Sequence, residues 1–416
     1  ELGSKGVNVS SISKPISPSP SVKLTTKIPE ESPCGSKLTY SIFGSVAYSS
    51  GFKQDEINKV PSITNTTVIF VMNFIPNYKS TILFTNMTKL SFDIKAIFDI
   101  NSDLEFNEIA LEVFHWQAKN IPVYKEYISS LGLNPNNINK IEEIPFLPIQ
   151  FFKSREVIEK NNAPEAIFKS SGTTEKGRSQ HFVTDLSLYQ QSFTKGFELA
   201  YGKVCNTCII ALLPNYQEQG NSSLIFMIDS LIKQSNHSKS GFYLNEKNTL
   251  LETLLELKKS KTKTLLIGVT YALLDFIEKQ KIDFGDLIVM ETGGMKGRRK
   301  EIVREELHEI LCTGFGVSQI HSEYGMTELL SQAYSSGNGV FISPPWMKIF
   351  IRQISDPLSL CEGNKTGGVN VIDLANINSC CFISTQDLGR SKSNNQFEII
   401  GRFDNSDTRG CNLMIS

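Results

Sequence analysis

HSEYGMTELLSQAY, residues 321–334, is the stretch that decides the fold class, and it stands at the end of a strand candidate. Tyr324 offers a planar face for a purine, and Gly325 allows a close backbone approach. Thr327 offers a hydroxyl to a phosphate, and Glu328 offers the carboxylate oxygen that a hard cation such as Mg²⁺ prefers. The competing interpretation is a strand–turn–helix junction in which Thr327 caps the helix. Both interpretations hold together, because helix N-termini favour phosphate.

Upstream of this stretch, strand and helix patterns alternate. Strand candidates lie at 208–213, 264–269, 286–291 and 318–323. The segments LLETLLELKK (250–259) and EIVREELHEIL (301–311) have the apolar spacing of amphipathic helices. This alternation predicts an α/β fold with parallel sheets covered by helices. Beyond Trp346 the pattern changes to short strands with turns, which predicts a small, mostly antiparallel β unit.

The composition changes near Met87, and this change sets the predicted domain boundaries. Residues 1–86 include a segment rich in Ser, Pro and Thr that cannot bury enough apolar surface to offset its ordering entropy. We therefore predict that 1–86 is a non-native or a disordered extension. Residues 87–345 are expected to form the α/β core, and residues 346–416 a β-rich subdomain that ends at a hinge motif.

Charge and cysteine usage narrow the class of protein. The 416 residues include 42 basic and 43 acidic side chains, a balance that argues against nonspecific nucleic-acid binding. The eight cysteines are scattered and several lie in apolar runs, which predicts buried thiols in a reducing cytoplasm. Cys205 and Cys208 form a CxxC, but no second pair follows at the spacing of a zinc site. No apolar run reaches the roughly 18 residues of a membrane span.

Two further segments carry candidate binding residues. FKSSGTTEKGRSQHF, residues 168–182, offers hydroxyls and backbone N–H groups that suit phosphate oxygens, although an ordinary polar turn has the same composition. It is not the GxxxxGK[ST] phosphate loop. In residues 384–407, Asp387 suits the two hydroxyls of a ribose, and Arg402 suits ribose or phosphate. The alternatives are a tight turn at Asp387 and a solvated strand end at Arg402.

The order of these motifs resembles that of the adenylate-forming superfamily. SSGTT is followed about 150 residues later by YGMTE, and then by DLGR and GRFDN. Over about 300 residues, roughly 105–416, the chain is most similar to acyl-protein synthetases of the LuxE type and to the related phenylacetate–CoA ligases. The segments that carry the resemblance are EVFHWQAKNIPVYKEYI (112–128), IPFLPIQFFKS (144–154), ETGGMKGRRKEI (291–302), SEYGMTEL (322–329) and GRFDNSDTRGCNLM (401–414).

This resemblance implies a fold and a set of site residues. The fold would be the large α/β domain of an adenylate-forming enzyme, with a small β unit near the C-terminus. Thr327 and Glu328 would engage phosphate and Mg²⁺ as catalytic residues, and Glu328 would be the metal ligand. The residues expected to bind ATP are Ser170, Ser171, Gly172, Thr173, Thr174, Gly293, Gly294, Tyr324, Gly325, Asp387 and Arg402. Glu175 stands where the superfamily usually has glycine, and Gly293–Gly294 also fits a plain strand-to-helix turn.

The end of the chain bears on the acyl acceptor. The sequence stops about ten residues after GRFDNSD, so we expect the superfamily's C-terminal lid and its lysine to be absent. Lys296, Arg298 and Arg299 are candidate replacements, but a solvated helix start is the favoured explanation of these residues. By resemblance, Cys411 would be the catalytic thiol that accepts the acyl group, with Arg409 lowering its pKa. The alternative is that Cys411 is a small buried hydrophobe.

The function implied by the resemblance is ATP-dependent activation of a carboxylic acid. A long-chain fatty acid would become acyl-AMP and then a protein thioester, with an acyl-reductase or acyl-carrier protein as a further partner. The alternatives are an aryl- or acyl-CoA ligase of the phenylacetate type, and a noncatalytic protein that binds acyl nucleotides. His181 follows the phosphate segment and is given no firm role.

Overall fold

The structure is a computed structural model that describes residues 90–160, 162–170, 177–214, 220–278, 282–293, 302–392 and 395–403. Its α-helices are α1 Asp103–Asn120, α2 Pro122–Ser130, α3 Phe151–Ser154, α4 Leu186–Tyr201, α5 Ser223–Ser235, α6 Lys247–Lys259, α7 Thr270–Ile277 and α8 Arg304–Phe315. Its strands are β1 Leu147–Pro148, β2 Ala166–Lys169, β3 Gln180–Val183, β4 Cys208–Leu212, β5 Gly241–Phe242, β6 Thr264–Val269, β7 Ile288–Thr292, β8 His321–Tyr324, β9 Ala333–Ser335, β10 Val340–Ile342, β11 Met347–Arg352, β12 Thr366–Asp373, β13 Phe382–Ser391 and β14 Gln396–Arg402.

Most strands join one 12-stranded sheet in the order β11-β12-β13-β14-β10-β9-β8-β7-β6-β4-β5, with β1 beside β13. The pairs from β5 through β4, β6 and β7 to β8 are parallel. The pairs from β8 through β9, β10, β14, β13 and β12 to β11 are antiparallel. Strands β2 and β3 form a separate two-stranded antiparallel hairpin.

The parallel half of the sheet follows from continuous apolar runs separated by amphipathic helices. Strands β4 and β6 are buried along their whole length, as expected for strands covered on both faces. Helices α5 to α8 alternate with these strands along the chain. The amphipathic helices predicted at 250–259 and 301–311 are present as α6 and α8.

The N-terminal helix pair packs against the antiparallel half. Ser102 caps α1 by accepting the backbone N–H of Glu105, and Pro122 occupies the first turn of α2. Buried Gln117 donates to the carbonyls of Asn376 and Ile377, at 3.1 and 2.7 Å. These contacts fix α1 against the connection between β12 and β13.

Hydrogen bonding continues across the predicted boundary at 345/346, because β10 pairs with β14. The predicted subdivision at that point stays a prediction, and residues 1–86 lie outside the described ranges. Among the described helices, none has both the length and the apolar character needed to cross a membrane.

Candidate active site

The connection from β8 to β9 carries the YGMTE residues, and its conformation corrects one sequence-based alternative. No helix follows Thr327 in this described connection. Instead, the backbone N–H groups of Leu330 and Ser331 donate to the buried carboxylate of Asp373, at 3.0 and 2.9 Å. The Ser331 hydroxyl donates to the same carboxylate at 2.5 Å. A carboxylate that takes two consecutive N–H groups holds this segment as a loop, so Thr327 caps no helix here.

Asn376 holds the same loop from a second side. Its amide donates to the Glu328 carbonyl at 2.7 Å, and its side-chain oxygen accepts the Leu330 N–H at 3.0 Å. Asp373 and Asn376 are both fully buried. Burial raises the pKa of Asp373 to about 6, although its hydrogen bonds oppose that rise. The backbone around Glu328 is therefore fixed by a buried polar cluster.

Tyr324, Asp387 and Arg402 come together although they are far apart in sequence. The Tyr324 hydroxyl donates to Asp387 Oδ2 at 2.9 Å, and Arg402 Nε lies 3.1 Å from Asp387 Oδ1. Asp387 and Arg402 are cross-strand neighbours on β13 and β14. Asp387 therefore lies inside a strand rather than in the alternative tight turn. Burial raises the pKa of Asp387, while Arg402, Tyr324 and Arg352 oppose the rise.

The ring of Tyr324 packs in the core at the end of β8. It makes an edge contact with Phe397 at 5.4 Å between ring centroids, and a tilted contact with Phe341 at 5.8 Å. Gly325 follows directly, and a side chain there would overlap the carboxyl of Glu323. The stacking of Tyr324 on a purine stays a prediction.

The β2–β3 hairpin brings the base of the predicted phosphate loop to Glu328. Ser170 and Ser179 face each other across the hairpin: the Ser179 N–H donates to Ser170 Oγ at 2.9 Å, and the Ser170 N–H donates to the Ser179 carbonyl at 3.0 Å. The Glu328 carboxyl forms a hydrogen bond with the Ser179 side chain. Burial is the main cause that raises the pKa of Glu328, and this hydrogen bond, Arg402 and Lys153 oppose it.

His181 forms a second link between the hairpin and the loop. Its Nδ1 lies 2.9 Å from the Thr327 carbonyl, and its Nε2 lies 2.9 Å from the Ser379 hydroxyl. Burial lowers the pKa of His181 to about 4, so the ring is neutral at physiological pH. A neutral ring satisfies both contacts when Nδ1 donates to the carbonyl and Nε2 accepts from the hydroxyl.

Gly293 ends the neighbouring strand at the same edge of the sheet. It has a φ of 65°, which favours glycine, and its carbonyl accepts the Thr270 hydroxyl at 2.7 Å. One residue earlier, Thr292 donates to the Glu323 carboxyl at 2.6 Å. Burial raises the pKa of Glu323 to about 7, and Glu291 adds to the rise.

Several of the sequence-predicted site residues lie outside the described ranges. These are Ser171, Gly172, Thr173, Thr174, Gly294 and Cys411, together with the candidate cations Lys296, Arg298 and Arg299. The predicted residues that the structure does describe are Ser170, Gly293, Tyr324, Gly325, Thr327, Glu328, Asp387 and Arg402. Five of them form two connected groups: Tyr324 with Asp387 and Arg402, and Ser170 with Glu328 through Ser179.

Sequence reasoning missed the residues that hold these groups in place. Ser179, His181 and Val183 are buried at every second position along β3 and the residue before it, but the polar Gln180 between them hides this alternation in the sequence. Asp373 ends the long buried strand β12 and Asn376 follows it, and buried polar residues there need partners. Arg352 ends an apolar strand and is buried, a combination that also demands acceptors.

The site combines groups suited to an anionic nucleotide. Asp387 is a carboxylate with a tyrosine hydroxyl and an arginine beside it, and Glu328 is a second, enclosed carboxylate. Arg402 acts electrostatically on both carboxylates. Such an arrangement can bind hydroxyls at one carboxylate and a metal–phosphate group at the other.

Comparison with known sequences identifies one matching family. The family described as acyl-protein synthetase, LuxE, matches residues 85–416. No curated protein matches the chain.

Comparison with solved structures indicates the fold. The open form of 2-hydroxyisobutyryl-CoA ligase with 2-HIB-AMP and CoA is 12% identical, with a TM-score of 0.54 over 81% of this chain and 82% of that chain. Its postadenylation form with 2-HIB-AMP is 11% identical, with a TM-score of 0.56 over 81% and 74%. ATP-bound MatB from Rhodopseudomonas palustris is 14% identical, with a TM-score of 0.43 over 57% and 48%. The chain thus spans about half the length of MatB. The predicted α/β fold class of an adenylate-forming enzyme is confirmed.

Proposed function

This chain belongs to the LuxE acyl-protein synthetase family, and from that membership we propose that it uses ATP to activate a carboxylic acid and then transfers the acyl group to a cysteine thiol. The observation that carries the proposal is the meeting of Tyr324, Asp387 and Arg402 beside the loop that holds Glu328. Distant segments converge there on groups that match a ribose and a phosphate.

The first half-reaction joins the acid to AMP. An oxygen of the substrate carboxylate attacks the α-phosphorus of ATP, the bond from that phosphorus to the bridging oxygen breaks, and pyrophosphate leaves. The protein aligns the reactants and stabilises charge on phosphate. Asp387 accepts the ribose hydroxyls, Tyr324 lies at the adenine side, and Arg402 balances the charge near the nucleotide. Gly293 and Gly325 are the glycines proposed to let the backbone approach the substrates closely, and a side chain at Gly325 would first overlap the Glu323 carboxyl.

The phosphate groups lie between the hairpin and the loop. Ser170, the loop segment 171–174 and Thr327 supply donors to the phosphate oxygens. The residues present fit a Mg²⁺ ion, because this metal is commonly held by one or two carboxylates together with substrate phosphates. Glu328 is the carboxylate that would hold it, since a carboxylate has acceptor capacity beyond the Ser179 hydroxyl and the Glu328 backbone N–H. Bound Mg²⁺ would neutralise the charge of the phosphates.

The second half-reaction moves the acyl group to sulfur. A thiolate attacks the carbonyl carbon of the acyl-adenylate, the bond to the phosphate oxygen breaks, and AMP leaves. Burial raises the thiol pKa of Cys208, Cys312, Cys380 and Cys381, so these four are poor nucleophiles. Cys205 is exposed, against the expectation that cysteines in apolar runs are buried. We propose Cys411 as the acceptor, a long-chain fatty acid as the substrate, and a reductase or carrier protein as the next acceptor.

The experiment measures the two half-reactions separately. ATP–pyrophosphate exchange is followed over a panel of carboxylic acids that includes fatty acids of increasing length. Hydroxylamine-labile labelling of the protein with a radioactive fatty acid then reports the thioester. Cys411→Ala is expected to keep exchange and lose the label, while Cys205→Ala, the matched control at an exposed cysteine, keeps both.

Other outcomes assign other functions. Exchange with release of free CoA thioester, and no labelled protein, would favour an acyl-CoA ligase. A folded protein that shows no pyrophosphate exchange with any of the acids would favour a noncatalytic acyl-nucleotide-binding protein. Label retained in Cys411→Ala would move the acceptor to another thiol.

A further inference from the structure

Arg352 is a buried cation whose hydrogen bonds all go to neutral oxygens in the part of the chain that is described. It is 7% exposed. Its Nη1 donates to the Val369 carbonyl at 2.7 Å and to Asn370 Oδ1 at 3.0 Å, and its Nη2 donates to the Thr385 carbonyl at 2.6 Å. A buried charge costs free energy unless it is paired, so this arginine needs a physical reason.

The sheet around Arg352 is shaped to admit its side chain. The β12–β13 pairing is interrupted by a register shift between Gly368 and Asn370. At this bulge the Val369 carbonyl accepts two side-chain donors, Arg352 and the Thr385 hydroxyl. A side chain at Gly368 would overlap the Arg352 guanidinium, and one at Gly367 would overlap the Arg352 backbone. Both glycines lie in β12, and their lack of side chains leaves the space that Arg352 occupies.

The contacts of Arg352 lead directly to Asp387. Arg352 donates to the Thr385 carbonyl, and the Thr385 hydroxyl accepts the Asp387 N–H at 3.1 Å. Arg352 and Asp387 attract each other electrostatically, and that attraction opposes the rise that burial causes in the pKa of Asp387. The ring of Phe403, just after Arg402, lies 5.5 Å from the guanidinium carbon.

We propose that Arg352 is a positioning residue of the nucleotide site, which fixes β13 at Thr385 and keeps the neighbouring Asp387 ionised and aimed at the ribose. It acts from beneath the site and does not touch the nucleotide itself. This inference rests on the proposed function, because it assumes that Asp387 binds the two ribose hydroxyls. It assigns a purpose to the buried charge that the packing of the sheet alone does not require.

The test compares ATP with 2′,3′-dideoxyATP as substrates of pyrophosphate exchange in the full chain. The ratio of their kcat/KM values reports the ribose contact and is insensitive to a general loss of active protein. In wild type, ATP is expected to be favoured. Arg352→Met is expected to lower this ratio about tenfold. A tenfold change corresponds to the loss of about 1.4 kcal/mol of transition-state stabilisation. Arg352→Lys, which keeps the charge, is expected to retain most of the ratio.

Two further variants keep the test decisive. Lys348→Met removes a cation from the same strand at its ion pair with Asp103, and is expected to leave the ratio unchanged. Gly368→Ala displaces the guanidinium without removing a charge and is expected to lower the ratio, so it gives a result even where Arg352→Met fails to fold.

The outcomes separate the two levels of the argument. Suppose that the wild type exchanges pyrophosphate with acids and that folded Arg352→Met has the same ATP to dideoxyATP ratio as the wild type. That result overturns this inference alone. Where Arg352→Met does not fold, an unchanged ratio in Gly368→Ala has the same meaning. An equal loss in Arg352→Lys and Arg352→Met overturns the role of charge. A wild type with no exchange overturns the proposed function and this inference with it.

Discussion

The β2–β3 hairpin and the edge of the large sheet contribute different chemistry to one site. The hairpin supplies neutral groups: the hydroxyls of Ser170 and Ser179 and the uncharged ring of His181. The sheet edge supplies acidic and basic groups, among them Asp387 and Arg402. The hairpin is a two-stranded sheet of its own, whereas the sheet edge belongs to a 12-stranded sheet.

This difference indicates how each half is held. On the sheet side, Asp373 alone accepts four hydrogen bonds from its surroundings. On the hairpin side, the contacts described with the loop after β8 include Ser179 with Glu328 and His181 with Thr327. We therefore expect substitutions on the sheet side to act on stability as well as activity, and those on the hairpin side to act mainly on activity.

The largest effect on stability is expected at Asp373. Asp373→Ala leaves the buried N–H groups of Ser331 and Ala375 unpaired, while the Leu330 N–H keeps Asn376 as its acceptor. Leaving these donors unpaired costs about 3–5 kcal/mol. Asp356 is a matched control, because it also accepts an N–H and a serine hydroxyl, from Leu358 and Ser359, but on the exposed surface. Urea unfolding of Asp356→Ala is expected to change by less than about 1 kcal/mol.

Equal losses in the two variants would contradict the view that a buried polar cluster holds the sheet side. A loss of activity in Asp373→Ala without a loss of stability would also contradict it.

Glu328 lies where the two halves meet, and its removal is expected to have the largest effect on activity. Glu328→Gln keeps the size of the side chain but removes the charge that we propose faces Mg²⁺ and the phosphates. Pyrophosphate exchange is expected to fall roughly 10²- to 10³-fold, as for loss of a group that stabilises transition-state charge. Glu398→Gln, at a surface ion pair with Lys392, is the control and should exchange normally. Near-normal exchange in a folded Glu328→Gln protein would refute the assignment.

The hairpin side is tested at His181, whose two ring contacts can be removed separately. His181→Phe leaves the Thr327 carbonyl without its donor, so the phosphate-facing residues lose their position. We expect kcat/KM for ATP to fall about tenfold, a cost of about 1.4 kcal/mol. Ser379→Ala removes the contact on the far side of the ring and a 3.3 Å hydrogen bond from its hydroxyl to the Asn376 carbonyl, but keeps the contact between His181 and Thr327. It is expected to change kcat/KM less than twofold, under about 0.5 kcal/mol.

A melting temperature that falls together with activity in His181→Phe would assign this residue to stability instead. In that case the contrast between the hairpin and the sheet edge would disappear.

The sequence predicted the parallel strands well because their apolar runs are continuous. Strands β4 and β6 agree with their predicted spans to within one residue. The loop after Tyr324 was harder, since TELLSQ has helical spacing, whereas the distant Asp373 and Asn376 bind its backbone in a loop. Long-range partners of this kind leave no local pattern in a single sequence.

The candidate site shows the same division. Motif residues such as Asp387 and Glu328 were predicted because their chemistry is visible in the sequence. Their supports were missed, because Ser179 and Arg352 are ordinary surface residue types until burial is known. Sequence order also could not indicate that Asp387 lies inside a strand, since DLG is a common turn sequence.

The smallest expected effect is at Glu323, and it tests whether every carboxyl on the sheet side stabilises the fold. Burial raises the pKa of Glu323 to about 7, and the nearby Glu291 adds to this rise. Glu323 in turn raises the pKa of Tyr189, Tyr201 and Tyr334. A carboxyl whose pKa is higher in the folded state than in the unfolded state contributes stability that is complete below pH 4.5. That contribution is lost as pH rises through about 7.

Glu323→Gln removes this titration while keeping an acceptor for the Thr292 hydroxyl. The difference in unfolding free energy between the variant and wild type is expected to change by about 1 kcal/mol in favour of the variant from pH 5 to pH 8. This value is smaller than the full pKa shift would give, because Glu323 is only partly buried. Urea unfolding at both pH values measures the difference, and Glu398→Gln on the surface is the control. If the variant and wild type change in parallel between the two pH values, then the Glu323 carboxyl is not held out of water. If the variant instead loses stability at pH 8, the ionised carboxylate stabilises the sheet edge, and Glu323 then resembles Asp387 in being supported by its neighbours.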